Sequence, residues 1–280
     1  MRTALTIAGS DSGGGAGIQA DLKTFAALGV YGTCAITAVT AQNTIGVTAS
    51  ATLEADLVTA QIEAVAGDIT IHATKIGMLA TSAIVEAVVA AIEEVELPLV
   101  VADPVMLAKS GQRLLDEDGV QALRTELLPL VRVVTPNLPE AEALTGRRIQ
   151  SLADARDAAR RIQDMGARAV LLKGGHSSFP PHPDVIVDLL LDDDRFHEFR
   201  TPRIETNNTH GTGCTLASAV AAHLALDHSL PDAVERAQQY VAGAIAHALA
   251  IGHGHGPLHH FWMGNRADRE SQIANPPRVY

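Results

Sequence analysis

A turn of small residues near the C-terminus, Asn207-Asn-Thr-His-Gly-Thr-Gly-Cys-Thr-Leu-Ala, passes directly into an apolar segment with helical character. The backbone N–H groups of residues 211–214 could converge there on one anion. Glycine has no Cβ to block close approach, and a helix N-terminus carries partial positive charge. A tight turn in which a threonine caps the helix would explain the same residues. The pattern alone therefore allows either a phosphate site or a plain helix start.

A second glycine-rich stretch, Ile7-Ala-Gly-Ser-Asp-Ser-Gly-Gly-Gly-Ala-Gly-Ile, follows an apolar N-terminal run. It lacks the Gly-Lys pair that a P-loop requires, because Gly14 is followed by Gly15 and Ala16. It also lacks the third glycine of the dinucleotide fingerprint, because Ile18 stands at that position. The spacing disagrees with both common phosphate loops.

Composition limits the classes of protein that the chain can belong to. Its 280 residues are 47% hydrophobic and 19% charged, which is enough for one large core. A net charge of -11 argues against a nucleic-acid partner or an anionic membrane surface. The two cysteines, Cys34 and Cys214, lie far apart and fit a reducing cytoplasm. We expect a cytoplasmic protein with one domain over residues 1–265 and a polar tail over 266–280.

Short Val- and Ile-rich runs alternate with longer helix-periodic segments, which is the pattern of strands and crossover helices in a mostly parallel sheet. The predicted strands cover residues 4–8, 34–39, 73–76, 99–102, 131–135 and 169–172, and an edge hairpin is predicted over 185–191 and 195–202. The predicted helices cover residues 55–66, 82–95, 120–128, 152–165, 214–226 and 231–252. Ligands bind outside the carboxyl ends of such strands, so we expect Asp103, Thr135 and Lys173, which follow strands, to face one site.

Eight short motifs extend over nearly the whole chain. They are the glycine-rich stretch at residues 9–21, Ala41-Gln-Asn-Thr, Lys75-Ile-Gly-Met-Leu, Asp103-Pro-Val-Met, Thr135-Pro-Asn-Leu-Pro-Glu-Ala, Leu172-Lys-Gly-Gly-His, Thr209-His-Gly-Thr-Gly-Cys and Gly254-His-Gly-Pro-Leu-His-His. Together they resemble the hydroxymethylpyrimidine/phosphomethylpyrimidine kinase family of thiamine biosynthesis, within the ribokinase-like superfamily. The resemblance implies an α/β fold, a ribokinase-like three-layer α/β/α arrangement with a mostly parallel central sheet and a small β edge or lid element.

The resemblance also implies a function. It implies ATP- and Mg²⁺-dependent phosphorylation of 4-amino-5-hydroxymethyl-2-methylpyrimidine to the monophosphate, and then of the monophosphate to the diphosphate. It further implies a homodimer, and it places the glycine-rich stretch at residues 9–21 on the substrate side.

Site residues follow from the same resemblance. The residues matching pyrimidine contacts are Gly9, Asp21, Gln42, Met78 and Met106. The residues matching ATP and phosphate contacts are Lys173, Thr209, Gly211 and Gly213, and the catalytic set is Cys214, Gly211, Thr212, Gly213 and Lys173. Asn137 and Glu140 match the motif that orders Mg²⁺, mainly through water. Taken alone, Asn137-Leu-Pro-Glu140 is also typical of a helix start.

Cys214 is the candidate base. A thiol at a helix N-terminus can have its pKa lowered below about 8.5, so a thiolate could take the proton of the substrate hydroxymethyl group. The second step needs little or no deprotonation, because a phosphomonoester oxygen already carries negative charge. The alternative is a small residue packed beneath the anion site.

Other functions stay open at this point. A pyridoxal-type kinase would share the fold and take a similar heterocycle with a hydroxymethyl arm. A non-catalytic ligand sensor would be expected to lose part of the anion site or the lysine, and a nicotinamide-dependent dehydrogenase rests only on the opening glycines. The His-rich segment at residues 253–260 could suggest zinc, but its glycines and Pro257 favour a loop that covers the nucleotide side.

Overall fold

The structure is a computed structural model that describes residues 1–106, 114–176 and 184–264. Nine described strands form one sheet in the order β3-β2-β1-β4-β5-β6-β7-β8-β9. Their bounds are β1 Thr3–Asp11, β2 Tyr31–Gln42, β3 Val47–Thr52, β4 Ala73–Ile76, β5 Val100–Ala102, β6 Val133–Val134, β7 Ala169–Leu172, β8 Val185–Asp192 and β9 Arg195–Pro202. The six central strands, β2-β1-β4-β5-β6-β7, pair in parallel. The remaining strands, β3 at one edge and β8 and β9 at the other, pair antiparallel with their neighbours.

Helices cover both faces of the sheet. Their bounds are α1 Gly17–Ala27, α2 Ala55–Ala66, α3 Ser82–Glu94, α4 Glu117–Ala122, α5 Leu138–Thr145, α6 Leu152–Asp164, α7 Thr212–Ala225 and α8 Leu230–Ala246. One buried cluster packs α2 to α6 against the sheet, and a second packs α1, α7 and α8 against the other face. Successive strand residues alternate between the clusters, as Val133 and Val134 do in β6. The predicted three-layer α/β/α arrangement is confirmed.

The predicted edge hairpin is also confirmed. β8 and β9 pair antiparallel from Val185↔Pro202 to Asp192↔Arg195. The two residues of the turn, Asp193 and Asp194, have φ angles of 45° and 59°. Positive φ at both central positions suits the twist of the flanking strands, and Asp tolerates it better than most residues.

Two predictions about the elements were wrong, and one strand was not predicted. β3 was missed because its residues Val47–Thr52 are mostly exposed Ser, Thr and Ala, without an alternating apolar pattern. The helix predicted over 120–128 divides into α4, a π-helical turn and a short 3₁₀ turn that contains Pro129. The last helix ends at Ala246 and does not reach residue 252.

The carboxyl ends of the parallel strands and the N-terminus of α7 surround a cavity of about 980 Å³, which we call the carboxyl-end cavity. Asp103 and Lys173 follow β5 and β7 and both line it, as predicted. Thr135 follows β6, where it is buried beside Asp103. In the described ranges, no helix has the length and apolar character needed to cross a membrane. The predicted tail over 266–280 lies outside the described residues.

Candidate active site

The α7 turn, residues 209–214, lines the carboxyl-end cavity along its whole length. Helix α7 begins at Thr212 with Gly211 as its N-cap, and no side chain caps it among the described residues. The Thr212 hydroxyl instead donates to the Thr209 carbonyl at 2.8 Å. The helix start is therefore not capped by a threonine side chain in the described residues. The first turn of α7 presents its backbone to the cavity.

Gly211 is required by geometry. Its φ is 83°, and a Cβ at this position would lie 1.8 Å from the carbonyl oxygen of Gly15. The α7 turn is thus in backbone contact with the opening loop, which comprises residues 11–17.

The opening loop binds one of its own carboxylates. The Asp11 carboxylate accepts the backbone N–H groups of Gly13 at 2.8 Å, Gly15 at 3.0 Å and Ala16 at 2.8 Å. It also contacts Nε2 of His210 at 2.9 Å. Burial opposes the charge on Asp11, but these hydrogen bonds outweigh it and lower the pKa of the carboxyl. An anion already occupies this nest, so the loop is not free to hold a phosphate.

Lys173 lies beside the α7 turn. Its Nζ donates to Asp103 Oδ1 at 2.6 Å, and a Cβ on Gly213 would be 3.5 Å from that Nζ. Burial alone would lower the pKa of Lys173, but the carboxylates of Asp103 and Glu140 raise it above its usual value. Lys173 is therefore a permanent cation at the place where a phosphate would meet the N-terminus of α7.

Asn137 and Glu140 line the cavity and form a capping box at the start of α5. Asn137 Oδ1 accepts the Glu140 N–H at 2.9 Å, and Glu140 Oε2 accepts the Asn137 N–H at 2.8 Å. Burial raises the pKa of Glu140 to about 7, and Lys173 works in the opposite direction. No group of three or more His, Cys, Asp or Glu side chains among the described residues could hold a metal directly. Two hard oxygen groups at a cavity wall suit a hydrated Mg²⁺.

The cavity is also lined by Gln42 and Met78. Gln42 Nε2 lies 3.3 Å from His210 Nε2, and Thr40 Oγ1 donates to Gln42 Oε1 at 3.2 Å. A Cβ at Gly9 would be 2.3 Å from Met78 Cε, so the absence of a side chain at Gly9 makes room for this methionine. An amide that can donate and accept, beside a flat apolar surface, suits an aminopyrimidine ring.

The match to known proteins agrees with this geometry. A family model described as phosphomethylpyrimidine kinase matches residues 11–259. The chain belongs to this family. It is 48% identical over 267 residues to the hydroxymethylpyrimidine/phosphomethylpyrimidine kinase of Haemophilus influenzae, covering 95% of the chain and 98% of that protein. The family and the kinase class predicted above are confirmed.

Two further similarities extend the comparison. The chain is 49% identical over 256 residues to the thiamine biosynthesis bifunctional protein ThiED of Geobacter sulfurreducens, covering 91% of the chain but spanning only 51% of that longer protein. The structure of pyridoxal kinase from Staphylococcus aureus in complex with AMP-PCP and pyridoxal superposes with a TM-score of 0.86 at 35% identity, covering 95% and 96% of the two chains. The fold of this kinase is therefore shared with a solved kinase that binds an ATP analogue.

Two residues expected to contact the pyrimidine do not line the cavity. Met106 is 5% exposed and packs in the hydrophobic core beneath it. Asp21 is completely buried, and its carboxylate accepts from Thr6, Ser218 and Lys75. The structure thus places Met106 in the core and gives the Asp21 carboxylate three protein donors, so a contact of either residue with a pyrimidine stays a prediction.

Cys214 lines the cavity, but its ionisation is opposite to the prediction. Burial raises the pKa of the thiol to about 11, and the Lys75 ammonium only partly offsets this. The carboxylates of Asp21 and Asp103 raise it further. The expectation of a lowered pKa was wrong because burial and the two carboxylates outweigh the nearby cation.

Three charged or titratable residues at the site were not assigned roles from the sequence: Asp11, Lys75 and His210. The sequence signal for Asp11 was its place just before a run of glycines, where an Asp can accept the N–H groups of its own turn. His210 directly precedes the Gly-Thr-Gly turn, and its ring fills the space that a Cβ on Gly15 would occupy, at 2.5 Å from Cδ2. These contacts join two segments almost 200 residues apart, so local pattern could not reveal them.

The His-rich segment forms contacts with its neighbours. His255 N–H donates to the Thr44 carbonyl at 2.8 Å, and His255 also lines the cavity. The buried ring of His260 lies 3.1 Å from the Thr215 hydroxyl. These histidines do not form a metal-binding group within the described ranges, and residue 255 lies at the cavity wall as expected of a covering loop.

Proposed function

We propose that this kinase phosphorylates 4-amino-5-hydroxymethyl-2-methylpyrimidine to its monophosphate, and the monophosphate to the diphosphate, with ATP as donor. The observation that carries the proposal is that one cavity is lined by the N-terminus of α7, by Lys173 and by the amide of Gln42. The names of the related kinases support this substrate and a place in thiamine biosynthesis.

The residues of the cavity suit phosphoryl transfer. The N–H groups of the α7 turn would hold the moving phosphoryl group, and Lys173 would neutralise part of its charge. Gln42 and Met78 would orient the heterocycle so that its hydroxymethyl oxygen faces that group. Thr209, at the start of the α7 turn, would contact the ATP phosphates.

Cys214 would act on the hydroxymethyl proton in the first step only. A thiol with a pKa of about 11 is mostly protonated at neutral pH, so only the small thiolate fraction, which the Lys75 ammonium increases and Asp21 and Asp103 decrease, could take this proton. Replacing Cys214 by Ala should slow the first step about 100-fold and leave the second within a fewfold. Cys34→Ala is the matched control. Equal loss of both steps would make Cys214 a residue that positions the phosphate.

The direct test of function is an assay with the hydroxymethylpyrimidine and ATP-Mg²⁺ that follows monophosphate and diphosphate separately. We expect sequential formation of both products. Pyridoxal should be turned over more slowly under the same conditions, and equal or faster turnover would favour the pyridoxal-kinase alternative that the Staphylococcus aureus structure represents.

Mg²⁺ would be held by Asn137 and Glu140 through water, where it would neutralise phosphate charge. Glu140→Gln tests this, because Gln preserves the capping box but removes the carboxylate. We expect the Mg²⁺ concentration for half-maximal activity to rise about tenfold, with an unchanged melting temperature. An unchanged Mg²⁺ dependence would leave Glu140 as a helix cap only.

We also propose that residues 1–265 act as a single kinase domain in the cytoplasm and that this domain forms a homodimer. The exposed edge strand β3 supports the dimer, since an unpaired edge invites another chain or a cover. Light scattering after size-exclusion chromatography tests the dimer. A monomer at micromolar concentration would contradict it.

A further inference from the structure

A buried ion pair lies beneath the cavity. Lys75 on β4 and Asp21 on α1 have completely buried side chains, and Lys75 Nζ donates to Asp21 Oδ2 at 2.8 Å. The same carboxylate accepts the Thr6 hydroxyl at 2.6 Å and, through Oδ1, the Ser218 hydroxyl at 2.6 Å. Two full charges removed from water are costly unless they are paired and hydrogen-bonded in this way.

The pair is attached to the helix that carries Cys214. Ser218 lies four residues after Cys214 on α7, so the two side chains share one face of the helix. The hydrogen bond from Ser218 to Asp21 therefore fixes the turn of α7 directly beyond the thiol. Lys75, like Cys214, lines the carboxyl-end cavity. The absence of a side chain at Gly77 makes room for its ammonium, because a Cβ there would be only 2.6 Å from Nζ.

Four charged groups act on the thiol, from four different elements. Lys75 on β4 favours a thiolate, and Asp21 on α1 and Asp103 after β5 oppose it. Lys173 after β7 interacts with Cys214 as well. Lys173 and Asp103 form their own ion pair at 2.6 Å, on the phosphate side of the cavity. The Lys75–Asp21 pair is the part of this set that is fully buried and directly linked to α7.

We propose that Lys75 and Asp21 form a positioning pair for Cys214, in which the ammonium stabilises a thiolate, the carboxylate opposes it, and Ser218 holds the helix in register. Only the expected change in first-step kcat rests on the proposed function; the expected change in the reactivity of the thiol does not. A pair that served only to stabilise the fold would loosen the site when either charge was removed, and the thiol would become more accessible in both variants. With the positioning pair, loss of the carboxylate should instead raise the thiolate fraction of Cys214, and loss of the ammonium should lower it.

The chain offers a clean way to measure this, because it contains two cysteines and Cys34→Ala leaves Cys214 alone. In that background we would measure the second-order rate of alkylation by iodoacetamide at pH 8, where the rate follows the thiolate fraction. Asp21→Asn should raise the rate and Lys75→Met should lower it. Each change should be about threefold or more, since one unit of thiol pKa gives about that after the change in nucleophilicity is included.

The double variant Asp21→Asn/Lys75→Met removes both charges and should return the rate close to that of the Cys34→Ala parent. Rates that rise in both single variants, or that change in neither, would overturn the proposal. If Lys75→Met does not fold, as judged by its thermal transition, Asp21→Asn still decides: an unchanged or slower rate would overturn the inference.

The alkylation measurement does not use phosphoryl transfer, so it separates this inference from the proposed function. In the same variants, the first-step kcat should follow the thiolate fraction and the second-step kcat should change less. Opposite shifts in alkylation without a matching change in first-step kcat would support the positioning pair and refute Cys214 as the base.

Discussion

The two glycine-rich turns of this kinase are in contact and use their backbone in opposite ways. In the opening loop, three N–H groups point inward at the carboxylate of Asp11. In the α7 turn, the first residues of the helix line the carboxyl-end cavity and have no side-chain cap within the described ranges. The opening loop thus binds a carboxylate of its own, whereas the α7 turn exposes the N-terminus of α7 to the cavity.

The difference shows that glycine content does not identify a phosphate site. Glycines allow N–H groups to converge, but what occupies the resulting nest depends on the side chains within reach. The Asp11 carboxylate holds the opening loop through hydrogen bonds to its own N–H groups. Its contact with His210 connects this loop to the α7 turn. The turn that we propose for the phosphate is the α7 turn, which has Lys173 beside it and no carboxylate of its own.

The largest effect is expected where the two turns touch. Gly211→Ala adds a Cβ that would overlap the Gly15 carbonyl at 1.8 Å, at a φ of 83°. The turns would have to separate, and a displacement of about 1 Å near reacting groups can reduce kcat about 100-fold. We expect at least that loss in both phosphorylation steps, together with a lower melting temperature.

Gly29→Ala is the matched control for this change. Gly29 has a φ of 77° but its added Cβ would meet nothing within 4 Å. It therefore measures the conformational cost of a non-glycine residue in the left-handed region, about 1 kcal/mol, without the overlap. If the two variants behaved alike, contact between the turns would not matter for catalysis.

The next effect tests whether the α7 turn handles the phosphate. A Cβ on Gly213 would lie 3.3 Å from Asp103 Oδ2 and 3.5 Å from Lys173 Nζ, which is tight but does not meet the backbone. Gly213→Ala should lower kcat about tenfold and leave the KM for the pyrimidine nearly unchanged, because it crowds the place where charge develops. Gly46→Ala adds a methyl group to the same cavity wall, where the Cβ meets nothing within 4 Å, and is the control for the added group alone.

A rise in the pyrimidine KM of Gly213→Ala without a change in kcat would contradict this assignment. It would mean that the turn holds the heterocycle and that the phosphate lies elsewhere in the cavity.

Much of the fold followed from residue periodicity. Strands β4 and β7 have the predicted bounds, 73–76 and 169–172, because they are short, apolar and fully buried. Strand β3 could not be found in this way, because an exposed edge strand needs no apolar face. Boundaries near prolines and π-helical turns, as after α4, depend on packing that no local window contains.

The site was predictable to the extent that motifs carry it. Gln42, Met78, Lys173 and the α7 turn, which the family resemblance singled out, all line one cavity, and their ligand contacts stay predictions. The burial of Asp21 could not be predicted, since its partners Lys75 and Ser218 lie 54 and 197 residues away. The pKa of Cys214 was predicted in the wrong direction because helix position is a local property and burial is not.

A smaller effect tests the built-in anion of the opening loop. Asp11→Asn removes a charged acceptor of three N–H groups and should cost about 2 kcal/mol of stability. The wild-type contribution should be present above the ordinary carboxyl pKa of about 3.9 and be lost as pH falls through the lowered pKa of Asp11. Chemical denaturation between pH 3 and 7 measures both, with the exposed Asp68→Asn as control.

Equal stability of Asp11→Asn and wild type across that pH range would contradict a charged occupant. The opening loop would then have to be reconsidered as a site for an external anion, and the contrast with the α7 turn would weaken.

The smallest expected effect concerns the bridge between the turns. His210 Nε2 contacts Asp11 Oδ2 at 2.9 Å and lies 3.3 Å from Gln42 Nε2, so the ring joins the opening loop to the α7 turn beside the amide that we propose for the pyrimidine. His210→Ala removes one hydrogen bond worth about 1 kcal/mol, which corresponds to about a fivefold rise in the pyrimidine KM. The kcat should change less, since Lys173 and the N–H groups of the α7 turn stay in place.

His247→Ala, which removes a ring stacked on Trp262 outside the cavity lining, is the matched control. A large fall in kcat with an unchanged KM would instead make His210 part of the phosphate-binding side, and the two turns would then have to act as one site.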